Sequence, residues 1–116
     1  MVIKEKHFGP DHPEVAVTLV NLGCAYRSLG DSQKAKILYE RALVIKEKHF
    51  GPDHPEVAAT LVNLGNACDS LGDSQKAKEL LERALVIEEK HFGPDHPEVA
   101  GTLVNLGNAC DSLGDS

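Results

Sequence analysis

Tryptophan is absent from this 116-residue chain, and three phenylalanines and two tyrosines are all its aromatics. No apolar run approaches the roughly 20 residues that cross a bilayer. No basic-then-apolar leader opens the chain. Positive charge is also short: 12 Lys and Arg stand against 18 Asp and Glu, a formal net charge of −6. That balance argues against an electrostatic nucleic-acid footprint. The three cysteines, Cys24, Cys68 and Cys110, are an odd number without paired spacing. Helices stacked about 8–10 Å apart are too distant for a disulfide, whose Cα atoms lie within about 7 Å. A reducing, cytoplasmic setting is expected. There is no phosphate loop, nucleophile elbow or paired-carboxylate constellation, so no enzyme activity and no cofactor are expected.

What the chain has instead is repetition. Residues 43–84 overlie residues 1–42 except at Met1/Leu43, Val17/Ala59, Cys24/Asn66, Tyr26/Cys68, Arg27/Asp69, Ile37/Glu79 and Tyr39/Leu81. Residues 85–116 overlie 43–74 except at Lys46/Glu88 and Ala59/Gly101. A fixed period of roughly 20–50 residues marks a solenoid or array. We expect a single repeat array over 1–116, with units 1–42, 43–84 and a truncated 85–116.

Each unit predicts two helices. Gly9-Pro10-Asp11-His12-Pro13-Glu14 is a junction: glycine ends a helix and proline forbids its continuation. Met1–Phe8 then reads as the tail of a helix, since its copy Leu43–Phe50 closes one. Asp11 with Glu14 fits a capping box, with Pro13 in the first turn. His12 is the alternative cap, because a residue before proline resists helical angles. The first helix is predicted over about 13–29, with Val15, Leu19, Leu22, Tyr26 and Leu29 as its apolar stripe. Ala16 and Gly23 on a neighbouring face would let another helix approach. A mid-helix glycine costs about 1 kcal/mol against alanine, so its recurrence at Gly65 and Gly107 points to packing. Gly30-Asp31 closes this helix and caps a second over about 32–50. Its stripe is Ala35, Leu38, Ala42, Ile45 and His49, widened by Tyr39, Leu43 and Phe50; Lys46 falls on the polar side. Lys36–Glu40 and Lys78–Glu82 are spaced for ion pairs of about 0.2–0.5 kcal/mol. The short turn makes the pair an antiparallel hairpin. The pattern recurs over about 55–71, 74–92 and 97–113.

These positions resemble the tetratricopeptide repeat. The match is Leu19-x-x-Leu22-Gly23-x-x-Tyr26, then Gly30-Asp31, Ala35, Tyr39 and Ala42, recurring with Leu61, Leu64, Gly65, Ala77, Leu81 and Ala84. Cys68 and Cys110 replace the aromatic at Tyr26 and leave a smaller plug. The unit is eight residues longer than the usual 34, and the GPDHPEVA joint is similar to kinesin-light-chain-type repeats and near-identical fungal arrays. The resemblance implies an all-α, right-handed superhelical solenoid whose first helices line a concave groove, and a non-catalytic scaffold for a protein or peptide ligand. Groove positions so implied are Val17, Val20, Asn21, Cys24 and Arg27; Ala59, Val62, Asn63, Asn66 and Asp69; and Gly101, Val104, Asn105, Asn108 and Asp111.

The Asn21, Asn63 and Asn105 column offers a donor and an acceptor at each step, suited to a peptide backbone. The bland alternative is local bonding. Asp69 and Asp111 make the groove acidic, Arg27 excepted, which favours a basic or neutral ligand over a carboxylate-tailed one. The pairs His7/His12, His49/His54 and His91/His96 are read as joint devices and not as metal ligands, which must converge in threes or fours. Phe8, Phe50 and Phe92 are read as plugs between repeats. Cys24 lacks the electropositive setting of a reactive thiol beyond Arg27. The competing expectation is self-association. Val99, Leu103, Leu106, Cys110 and Leu113 lack a following helix and would stack open ends, in a self-assembling or engineered repeat segment with no specific ligand.

Overall fold

The computed structural model describes residues 12–114. Among them are five helices and no strand: α1 (Pro13–Ser28), α2 (Ser32–Phe50), α3 (Pro55–Ser70), α4 (Ser74–Phe92) and α5 (Pro97–Ser112). The expected helices at Met1–Phe8, the Asp11 cap, His7 and Phe8 lie outside the described residues. The fold is an all-α helical repeat. α1 pairs with α2, α3 with α4, and each second helix also packs on the next first helix, α2 on α3 and α4 on α5.

The turns follow from local chemistry. Leu29 caps α1, and Gly30 at φ 88° reverses the chain. The Asp31 N–H then donates to the Tyr26 carbonyl at 2.8 Å, satisfying an end-of-helix acceptor. The Asp31 carboxylate accepts from the Lys34 N–H at 3.1 Å and starts α2. Two residues thus stop one helix and begin another, and the copy at Gly72-Asp73 repeats it. At the longer joints the histidine is the cap. Nδ1 of His12, His54 and His96 accepts from the N–H of Glu14, Glu56 and Glu98. An Nδ1 that accepts carries its ring proton on Nε2.

The core is mostly aliphatic, with Tyr39 its one buried aromatic among the described residues. Tyr39, Ala35, Leu64, Ala67, Cys68, Ala77, Leu81 and Ala109 form one buried cluster. Val15, Ala16, Leu19, Ala42 and Ile45 form a second, and Val57, Ala58, Leu61, Ala84 and Ile87 its copy. Three sequence expectations shift here. The α1 stripe is rotated toward Ala16 and Gly23, leaving Leu29 81% exposed. His49 is exposed and Lys46 is buried. Phe50 and Phe92 are not plugs between repeats. They lie at the surface, stacked on His54 and His96 at centroid distances of 4.6 and 4.4 Å. The common cause is the proline joint, which sends the next helix back across the last turns of the long one. That helix covers the face bearing Lys46 and leaves the ring pair outside.

The recurrent glycine has a packing reason at two of its three positions. A Cβ at Gly23 would stand 2.7 Å from Tyr39 Cε1, and the ring cannot swing freely because Tyr39 Oη donates to Cys24 Sγ at 3.1 Å. At Gly65 it would meet Leu81 Cγ at 3.0 Å, and at Gly107 nothing within 4 Å. Urea unfolding should therefore order the three alanine variants. Gly23→Ala should destabilise by about 1–3 kcal/mol through overpacking, and Gly65→Ala should cost less, since Leu81 can adjust. Gly107→Ala should stabilise by about 1 kcal/mol, the helix-propensity gain alone.

Candidate functional site

The first helix of each hairpin presents the expected groove positions, and the structure sorts them. Asn63 and Asn105 stand half-buried on α3 and α5, facing one open concavity of about 400 Å3. Ala59, Val62 and Gly101 give it an apolar floor, with Glu98 and Thr102 on the α5 side. Asn21 is exposed on α1 and lies outside this concavity. Among the described residues, none of the three amides makes a hydrogen bond within the chain. Among the described residues each amide thus offers an unused donor and acceptor.

The other predicted positions are less uniform. Asn66 is half-buried, and Asn108 and Asp111 are exposed. Asp69 accepts from Ser74 Oγ at 2.7 Å, so part of its carboxylate is spent on fastening α3 to α4. Arg27, its counterpart in the first unit, is half-buried with one guanidinium nitrogen wholly buried and unbonded. Cys24 receives the Tyr39 hydroxyl, and burial followed by that bond raises the Tyr39 phenol well above its ordinary value. Burial likewise raises the Cys68 thiol, which opposes thiolate chemistry there. All three cysteines are free. Among the described residues, no group of three or more His, Cys, Asp or Glu is placed to hold a metal ion, and no helix is long and apolar enough to cross a membrane.

Lys46, assigned to the polar side of α2, is 6% exposed and pairs with Glu56 at 3.0 Å across the first joint. Its copy in α4 is Glu88, 2% exposed, at the second joint. There the partner position is again acidic, Glu98. Glu88 Oε1 accepts from Thr102 Oγ1 at 2.5 Å. The Lys46/Glu88 exchange was visible as one of two departures between units. Only the tertiary packing shows that it reverses a buried charge.

Two family models, both described as tetratricopeptide repeat, match residues 15–56 and 38–90. The chain is a tetratricopeptide-repeat protein. The crystal structure of a Podosopora anserina putative kinesin light chain with nearly identical TPR-like repeats is similar at TM-score 0.91 and 29% identity, over 98% of this chain and 54% of that one. A variant of it gives the same values. BtubC (BKLC) from P. vanneervenii is similar at TM-score 0.87 and 29% identity, over 97% of this chain and 45% of that one. This chain thus spans about half the length of these relatives. A comparison with curated proteins gave no match. The tetratricopeptide repeat is typically a non-catalytic fold for protein interaction.

The second joint should be sensitive to pH. Burial holds the Glu88 carboxyl above the ordinary 4.5; the Thr102 hydroxyl opposes this, the Glu98 carboxylate adds to it and His96 opposes it. A folded-state pKa above the unfolded one gives stability that is complete below the unfolded value and is lost as pH rises through the folded one. Unfolding free energy should therefore fall between acidic and neutral pH, and Glu88→Gln should flatten that fall. Glu88→Lys, which restores the first joint's chemistry, should raise stability at neutral pH by up to about 1 kcal/mol. Urea titrations at a series of pH values check both.

Proposed function

We propose that the chain is a single array, with units 1–42, 43–84 and 85–116, whose face formed by α1, α3 and α5 binds an extended peptide or a helix of a partner protein. Asn21, Asn63 and Asn105 contact the ligand backbone, while Asn66, Asn108, Asp69, Asp111 and Arg27 lie around them. The observation that carries this reading is the set of equivalent asparagine amides left without hydrogen-bond partners among the described residues, two of them bounding one concavity. An amide meets a peptide group with both donor and acceptor whatever the side chain. The acidic positions favour a neutral or basic ligand. For a ligand selected from a random peptide library, the double substitution Asn63→Ala with Asn105→Ala should weaken binding by about tenfold or more, as two lost hydrogen bonds to buried partners imply. Unchanged affinity in a calorimetric titration would remove the asparagine column from the reading.

A second reading is favoured by the apolar surface of α5. Of the expected open stripe, Leu103 is 49% and Leu113 40% exposed, Leu106 and Cys110 are half-buried, and Val99 is fully buried against expectation; Leu61, the copy of Leu103, is fully buried. Exposed apolar faces of this kind join copies of a chain. Sedimentation over a wide concentration range separates the two readings. A rising or dimeric mass supports self-association, and a constant monomer mass eliminates it.

A further inference from the structure

The second and third units differ over their shared length only at Lys46/Glu88 and Ala59/Gly101. Both differences fall on the same place. Gly101 lines the concavity between α3 and α5, where its Cβ would meet nothing within 4 Å. No close packing requires a glycine there, and a mid-helix glycine costs stability. The side chain at this position shrinks along the chain, from Val17 to Ala59 to Gly101, and the concavity opens where it is smallest. Glu88 lies behind the same wall. Thr102, which lines the concavity, donates to Glu88 Oε1 and contacts the Glu98 carbonyl with the same hydroxyl.

The two substitutions are complementary in chemistry. At the first joint the Lys46 ammonium neutralises Glu56. At the second, the residue in Lys46's place is an acid, and the Glu98 carboxylate has no ion-pair partner among the described residues. Glu98 borders the concavity, with buried Glu88 one side chain further in. Two neighbouring carboxylates, one of them desolvated, favour a cation brought close to both. The first joint has its cation built in; the second has the space and the negative charge without it.

We propose that the concavity between α3 and α5 is a subsite for a lysine or arginine side chain of the bound peptide. Its aliphatic stem lies over Ala59 and Gly101 and its charge rests on Glu98, with Glu88 behind. This rests on the peptide-binding reading above and adds the class of side chain that the groove selects.

The test uses a probe that does not depend on the asparagine column. Nα-acetyl-arginine methylamide is titrated into the 15N-labelled protein and followed by NMR, with the norleucine analogue as an uncharged control of similar stem. Saturable shifts are expected at Gly101 and Thr102 with the arginine probe, and about tenfold weaker binding with norleucine, the scale of a lost charge pair. Glu88→Lys places the first joint's own cation at the second and should weaken the arginine probe by about tenfold. Gly101→Val, copying the residue of the first unit, should also weaken it by filling the space. Equal binding of the two probes, no saturable shift, or an unchanged affinity in Glu88→Lys overturns the subsite. The failure of the wider reading is separate: library-selected peptides would then bind the double asparagine variant as tightly as the original chain.

Discussion

Each second helix of this protein is buried on two sides, and the rest of the structure depends on that double burial. α2 lies against α1 through Tyr39, Ala42 and Ile45, and its further turns lie against α3. A single hairpin covers only one of these faces. Its neighbour covers the other, so order in one unit requires order in the next. This is why alanine and glycine recur in register at 16, 23, 35 and 42. Helices sharing three neighbours within one period must approach closely, and a larger side chain at Gly23 would strike a tyrosine ring that is already tied to Cys24.

The joints translate this packing into a surface. A short Gly-Asp turn reverses the chain within a hairpin, whereas the longer joint carries a histidine cap and a stacked phenylalanine. The difference sets the first helices side by side on one face and brings the end of each long helix beneath the start of the following unit. Charged residues near that end, Lys46 and Glu88, are consequently buried beside the apolar Ala42 and Ile45 and their copies Ala84 and Ile87. A buried charge is tolerated when it is paired or neutral. The first joint uses an ion pair, whereas the second gives Glu88 only a hydroxyl donor, and burial raises the pKa of its carboxyl.

Near-identity of the units makes their few departures informative. In an array of equal parts, a surface feature repeats unless substitution alters it. Gly101 lines the concavity between α3 and α5, and Glu88 bonds Thr102 on its wall from behind, so the units present different local chemistry on the same backbone. Asn63 and Asn105 supply what is common, a donor and acceptor at each step. Gly101, Glu88 and Glu98 supply what is particular to one place. On the peptide-binding reading proposed above, a scaffold built this way would hold a peptide backbone generally and read its side chains locally.

The sequence alone determined the period, the helices and their turns. Those depend on interactions within a few residues: the glycine stop, the aspartate cap, the proline in a first turn and the spacing of aliphatic side chains. The asparagine column was legible for the same reason, since a position repeated in register must recur on the same face of each equivalent helix. The tertiary structure alone decided which cap operates at the joint, His54 in preference to its aspartate neighbour, and that Phe50 stacks outward. It alone decided that Lys46 and Glu88 are inside. Their burial comes from a helix that begins nine residues later and crosses them, and a helical periodicity within one element carries no trace of what another element covers.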